Sequence, residues 1–205
     1  SSALGFRNKA ANENASAVGY GNNAGGVASS AFGFSNVAKV DYASAFGYSN
    51  EASGLASSAV GFRNKAASEN ASAVGYGNNA NALAASAVGY NNTAGGVGSS
   101  TIGYNNTATN ENASAFGYGN TAGGLASSAF GFSNTASGDN ANAFGYNNIA
   151  SGSKSNVFGT GNTVSGSSST AVGTANEVAA ENSTAIGNNN TISSGAENSA
   201  ALGNN

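Results

Sequence analysis

Glycine stands at positions 5, 19, 33, 47, 61, 75, 89, 103, 117, 131, 145, 159, 173 and 187, a spacing of fourteen residues kept without a slip. A chain with one fixed period is a stack of like units, each packing mainly on the units before and after it. With the periodic glycine as position 0, the neighbouring columns are chemically specific. Position −1 is always apolar, from Leu4, Val18 and Phe32 to Val172 and Ile186. Position −2 is nearly always Ala, −3 is mostly a small hydroxyl residue such as Ser16, Ser30 or Thr170, and +3 is Asn in every unit, from Asn8 to Asn190. Seven units carry a second glycine at +7, among them Gly26, Gly54 and Gly124.

Two turns per period leave room for two short runs, −4 to +1 and +4 to +6. Such runs are too short for a helix and are read as strands. Asn and Gly tolerate the positive φ of tight corners, and Asn can bond its own backbone or its copy one coil away. Gly19, Asn22, Gly75, Asn78, Gly117 and Asn120 are therefore read as structural positions. Eleven units pair an aromatic residue at +1 with Ala at +5, whereas the last three combine Thr160, Thr174 and Asn188 with Val164, Val178 and Ile192. Close packing penalises both voids and overlaps, so this exchange predicts that +1 and +5 fill one space across the Asn turn. Position −1 shares a strand face with +1, and that face is either the coil interior or a subunit interface. A coil this small encloses few side chains, and the small residues at −2, −3 and 0 invite close approach of a second backbone. Oligomerisation is the expectation.

Only 7% of the 205 residues are charged, with a net charge of −3, and Pro, Cys, Met, Trp and His are all absent. Gly-, Ser- and Asn-rich chains are commonly disordered, but 40% apolar content and a strict period argue for a packed solenoid. Without proline, no ladder donor is missing. Without cysteine there is neither a disulfide nor a thiolate metal site.

The units Ser16-Ala17-Val18-Gly19-Tyr20-Gly21-Asn22-Asn23-Ala24, Ser72-Ala73-Val74-Gly75-Tyr76-Gly77-Asn78-Asn79-Ala80 and Ser183-Thr184-Ala185-Ile186-Gly187-Asn188 resemble the repeats of YadA-like head domains in trimeric autotransporter adhesins. The resemblance extends over essentially the whole chain. It implies an all-β fold, a left-handed parallel β-roll of 14-residue coils, assembled as a homotrimer. It further implies display at the surface of a Gram-negative bacterium, anchored in the outer membrane through regions outside residues 1–205, with a role in cell adhesion and virulence. The chain differs from the commonest family motif in carrying Ser at −3 and an aromatic residue at +1. No signal peptide, heptad stalk or hydrophobic span is present, so secretion and anchoring are expected to be encoded elsewhere. Residues 1–150 form regular aromatic-containing coils, and 151–205 form a variant segment with two extra residues after Gly187.

Without His or Cys there is no ordinary base or thiolate nucleophile, so an enzyme is not expected, and neither is a cofactor or a metal. The acidic residues at +8, including Glu13, Asp41, Glu69, Glu111 and Asp139, are read as a solvated column. Glu13 and Glu69 stand four coils apart, roughly 19 Å, too far for paired-carboxylate chemistry. Gly19-Tyr20-Gly21-Asn22-Asn23-Ala24 satisfies a dinucleotide-binding pattern in form only, because no helix follows it. Arg7 and Lys9 flank Asn8 and recur as Arg63 and Lys65 around Asn64. Segmental duplication accounts for the copy; as a functional site these four are the candidate ligand contacts, suited to an acidic glycan or an extracellular matrix protein. The net charge excludes a nucleic-acid footprint, and direct membrane insertion is not expected. The functional expectation is a surface adhesin head binding host matrix, cells or other surfaces by many weak contacts. The alternatives are a structural spacer and an ice-binding solenoid, for which Thr93, Thr107, Thr121 and Thr135 at +4 are the only run.

Overall fold

The computed structural model of the chain describes residues 1–204, and every regular element among them is a β-strand. Each period contributes a five-residue strand over −3 to +1 and a two-residue strand over +4 and +5. The long strand thus begins one residue later, and the short strand ends one residue earlier, than the sequence pattern predicts. The chain divides into two compact units, Ser1–Tyr104 and Asn105–Asn205.

In the first unit, long strands from β1 (Ser2–Phe6) and β3 (Ser16–Tyr20) to β15 (Ser100–Tyr104) form one parallel sheet, and short strands from β2 (Lys9–Ala10) to β14 (Thr93–Ala94) form another. Like pairs with like from coil to coil: Ser16 stands beside Ser30, Ala17 beside Ala31, Val18 beside Phe32 and Gly19 beside Gly33. The second unit repeats the plan, with long strands from β17 (Ser114–Tyr118) to β29 (Ala200–Asn204) and short strands from β16 (Thr107–Ala108) to β28 (Thr191–Ile192). Its last coil absorbs the two extra residues in the corner around Gly195. The register of β27 (Thr184–Asn188) against β29 stays intact, Gly187 on Gly203. A parallel ladder satisfies backbone donors coil by coil, and the corners do the same: the Arg63 N–H donates to the Tyr48 carbonyl at 2.9 Å, and the Ala28 N–H to the Glu13 carbonyl at 2.8 Å.

The interior is built from small residues. After the first coil, Ala at −4, −2 and +5 is buried in the first unit, as in Ala15, Ala17 and Ala24. The second unit has its own core of alanines, which Val157, Val164 and Val178 join. Strand alternation sends −3, −1 and +1 the other way, so the −1 ladder lies on the outer face of the long sheet and not in the coil interior. This corrects the predicted sharing of space between +1 and +5. The +1 rings lie on the outside, where Tyr90 is 42% exposed, while the +5 alanines from Ala24 to Ala150 have no exposed surface. The corner between them reverses the chain, so parity counted along a strand does not carry across it. The covariation marks a block of coils that differ on both faces at once.

Positive φ also falls elsewhere than predicted. The left-handed residues flank the Asn corner at +2, as Ser49 (φ 53°) and Arg63 (φ 53°), and occupy +9 at the other corner, as Ala56 (φ 53°) and Asn70 (φ 56°). At Gly26, in the +7 column, glycine is needed for space: a Cβ there would come within 1.9 Å of the Val40 carbonyl carbon. Where glycine stands there, the residue three on is usually Ser, which closes the corner. The Gly26 N–H donates to Ser29 Oγ at 3.1 Å, and that hydroxyl donates to the Gly26 carbonyl at 2.7 Å.

Candidate functional site

The Asn corner positions everything on its outer side. Asn64 is 1% exposed. Its backbone N–H and its Nδ2 both donate to Asn50 Oδ1 at 3.0 Å, and Nδ2 also donates to the Val60 and Gly75 carbonyls at 2.8 and 2.6 Å. Its Oδ1 accepts from the backbone and side chain of Asn78, each at 3.0 Å. Asn22 makes the equivalent bonds to Asn8, Val18 and Gly33. In the second unit Asn120 bonds Asn106, Phe116 and Gly131. This column is consumed by the stack and has nothing left for a ligand. The periodic glycines complete it: Gly19, Gly75 and Gly117 hold φ of 119°, 120° and 116°, and a Cβ on any of them would sit 2.1 Å from the carbonyl oxygen of the next coil's glycine.

Outside the corner lies a column of stacked rings. Tyr48, Phe62, Tyr76 and Tyr90 follow one another with centroids 4.7–4.9 Å apart and planes within 7° of parallel. A shorter stack at −1 runs through Phe116, Phe130 and Phe144. Next to the rings are the predicted cations. Arg7, Lys9, Arg63 and Lys65 are all exposed. The Arg7 guanidinium lies over the Phe6 ring and the Arg63 guanidinium over the Phe62 ring, each at 5.1 Å, a cation–π contact that fixes the group beside the ring column. In the short sheet Lys9 stands beside Asn23, and Lys65 beside Asn79. Both asparagines keep a buried Oδ1 that no hydrogen bond satisfies. Each copy thus gathers an Arg, a Lys and an unpaired amide oxygen at one corner. The sequence pattern singled out the cations and missed the Asn, because +4 is a mixed column with no visible rule.

The second corner differs. An open groove of about 400 Å³ is lined by Asn12, Gly25, Lys39, Asp41 and Leu55, and includes none of the four predicted cations. Asp41 and Asp139 are not merely solvated there, contrary to expectation. Asp41 Oδ1 accepts the Val27 N–H at 2.7 Å, and Asp139 Oδ1 accepts the Leu125 N–H at 2.9 Å. Each carboxylate therefore caps a corner donor of the preceding coil. Among the described residues no group of three or more His, Cys, Asp or Glu could hold a metal ion.

A parallel β-solenoid of 14-residue coils, with a buried Asn ladder and an outward repeating face of rings and cations, defines a repeat protein whose chemistry is that of contact surfaces. The family model of the YadA head domain repeat matches residues 1–22, 24–50, 52–78, 66–92, 94–120, 122–148 and 165–190. The chain belongs to that family, which is one of surface adhesins. No curated protein matches it.

Proposed function

We propose that the chain is the head of a surface adhesin, a left-handed β-roll assembled as a homotrimer on a Gram-negative outer membrane, and that it attaches the cell to matrix or other surfaces through many weak contacts. The observation that carries this reading is the cover of YadA head repeats along nearly the whole chain. The apolar −1 ladder supports the assembly. Phe32, Phe46, Val60 and Val74 point outward from one sheet, a face suited to burial against further copies. Residues 151–205 are read as a separate block of coils within the head.

The cationic corners supply the contact chemistry. Arg63 and Lys65 are exposed and offer donors to a carboxylate or sulfate, which fits an acidic glycan. The corner around Arg7 and Lys9 repeats it, and repetition along the stack and around a trimer multiplies a weak contact through effective concentration. The test is binding to immobilised sulfated glycans and matrix proteins, comparing the chain with an Arg7→Ala, Lys9→Ala, Arg63→Ala, Lys65→Ala variant. Loss of binding about tenfold or more, together with weakening by salt in the parent, is expected. Unchanged binding would assign the head the role of a spacer.

A further inference from the structure

Phe and Tyr alternate in the ring column from Phe6 to Tyr76, so Tyr20 and Tyr48 are each flanked by phenylalanine. The alternation breaks after Phe62, where +1 is tyrosine in four successive coils up to Tyr118, the first unit holding three of them, Tyr76, Tyr90 and Tyr104. Their rings stack at centroid separations of 4.7 and 4.9 Å, with planes 5° and 4° apart. All three are exposed in the single chain. Five paired positions on each side lock β11 (Ser72–Tyr76) and β13 (Ser86–Tyr90) in register, so the phenols cannot slide past one another.

We propose that Tyr76, Tyr90 and Tyr104 form a site of oxidative dityrosine coupling that staples neighbouring coils. The co-reactant is a one-electron oxidant of the peroxidase class using hydrogen peroxide. It removes one electron from each of two adjacent tyrosines, and each phenol releases its proton. The two phenoxyl radicals join at the ring carbons ortho to oxygen, forming one C–C bond. The two ortho hydrogens then pass as protons to the phenolic oxygens, which restores both aromatic rings. Two electrons and two protons leave the protein, and one hydrogen peroxide takes them up to become two waters. The fold's contribution is position: the partners are already in contact, so coupling is intramolecular and outruns encounters between free chains.

Peroxidase and hydrogen peroxide added to the folded chain, followed by digestion and tandem mass spectrometry of the cross-linked peptides, test this. Within the first unit, links between Tyr76 and Tyr90 and between Tyr90 and Tyr104 are expected to dominate. Tyr90→Phe keeps the ring and removes only the hydroxyl, so it should cut coupling at Tyr76 by about tenfold or more with an unchanged circular dichroism spectrum. Tyr48→Phe should leave the yield unaltered. Chain unfolded in guanidinium before oxidation should scatter its links over all tyrosines. The proposal is overturned by a folded chain that scatters them in the same way, by a direct link between Tyr76 and Tyr104 in Tyr90→Phe at the parent yield, or by covalent dimers as the main product.

Discussion

Position +3 asks one side chain to donate and accept at once, to the coil before and to the coil after. Asn does this at the size of the corner, and Asn64 shows the whole pattern, with its amide nitrogen shared among three oxygens and its own oxygen taking two donors. The invariance of this column was legible in the sequence, and so was its bonding from coil to coil. Where the positive φ falls was not, because the left-handed residues at +2 are as varied as Arg63, Ser49 and Asn91. The hydrogen-bonded ladders on both sides impose that conformation whatever the side chain. Glycine at 0 is a different case. Gly61 holds φ 119° and has a backbone oxygen 2.1 Å from where a Cβ would lie, whereas Gly161 holds φ 63° in open space. Gly61→Ala should cost at least about 4 kcal/mol in guanidinium unfolding, and Gly161→Asn no more than about 1 kcal/mol. Equal costs at the two sites would contradict this account of the glycine column.

At the scale of the strand, alternation decides what faces in. The sequence pattern put −1 and +1 on one face correctly but left open whether that face was the interior, since an apolar column and an alanine column are both plausible cores. The alanines win because the two sheets approach closely enough that Ala17 and Ala24 fill the gap between them. In the second unit larger apolar side chains take inward positions at Val157, Val164, Val178 and Ile192. The exchange of large for small between +1 and +5 is then not a contact. A double-mutant cycle of Phe62→Thr and Ala66→Val should be additive within about 0.5 kcal/mol. Ala66→Val alone should destabilise by about 1–3 kcal/mol through overpacking. Rescue of Ala66→Val by Phe62→Thr would restore the idea of a shared space.

For the molecule as a whole, the period of fourteen residues made the stack legible from the glycine positions alone. The functional surface was legible in part. Arg7, Lys9, Arg63 and Lys65 stood out as a duplicated charge pair in a chain with few charges, whereas the unpaired oxygens of Asn23 and Asn79 and the capping by Asp41 depend on which side of a corner a side chain takes. Within each unit the long sheet leaves a repeating apolar face outward, including Val60, Ile102 and Phe158. An isolated chain exposes that face to water, and the proposed association with identical copies would bury it against a matching ladder. The central claim is that this face is covered by two further copies. Light scattering on the purified chain, with circular dichroism on the same sample, tests it most directly. A β-rich species of three times 19.6 kDa is predicted, and a folded β-rich monomer would contradict it.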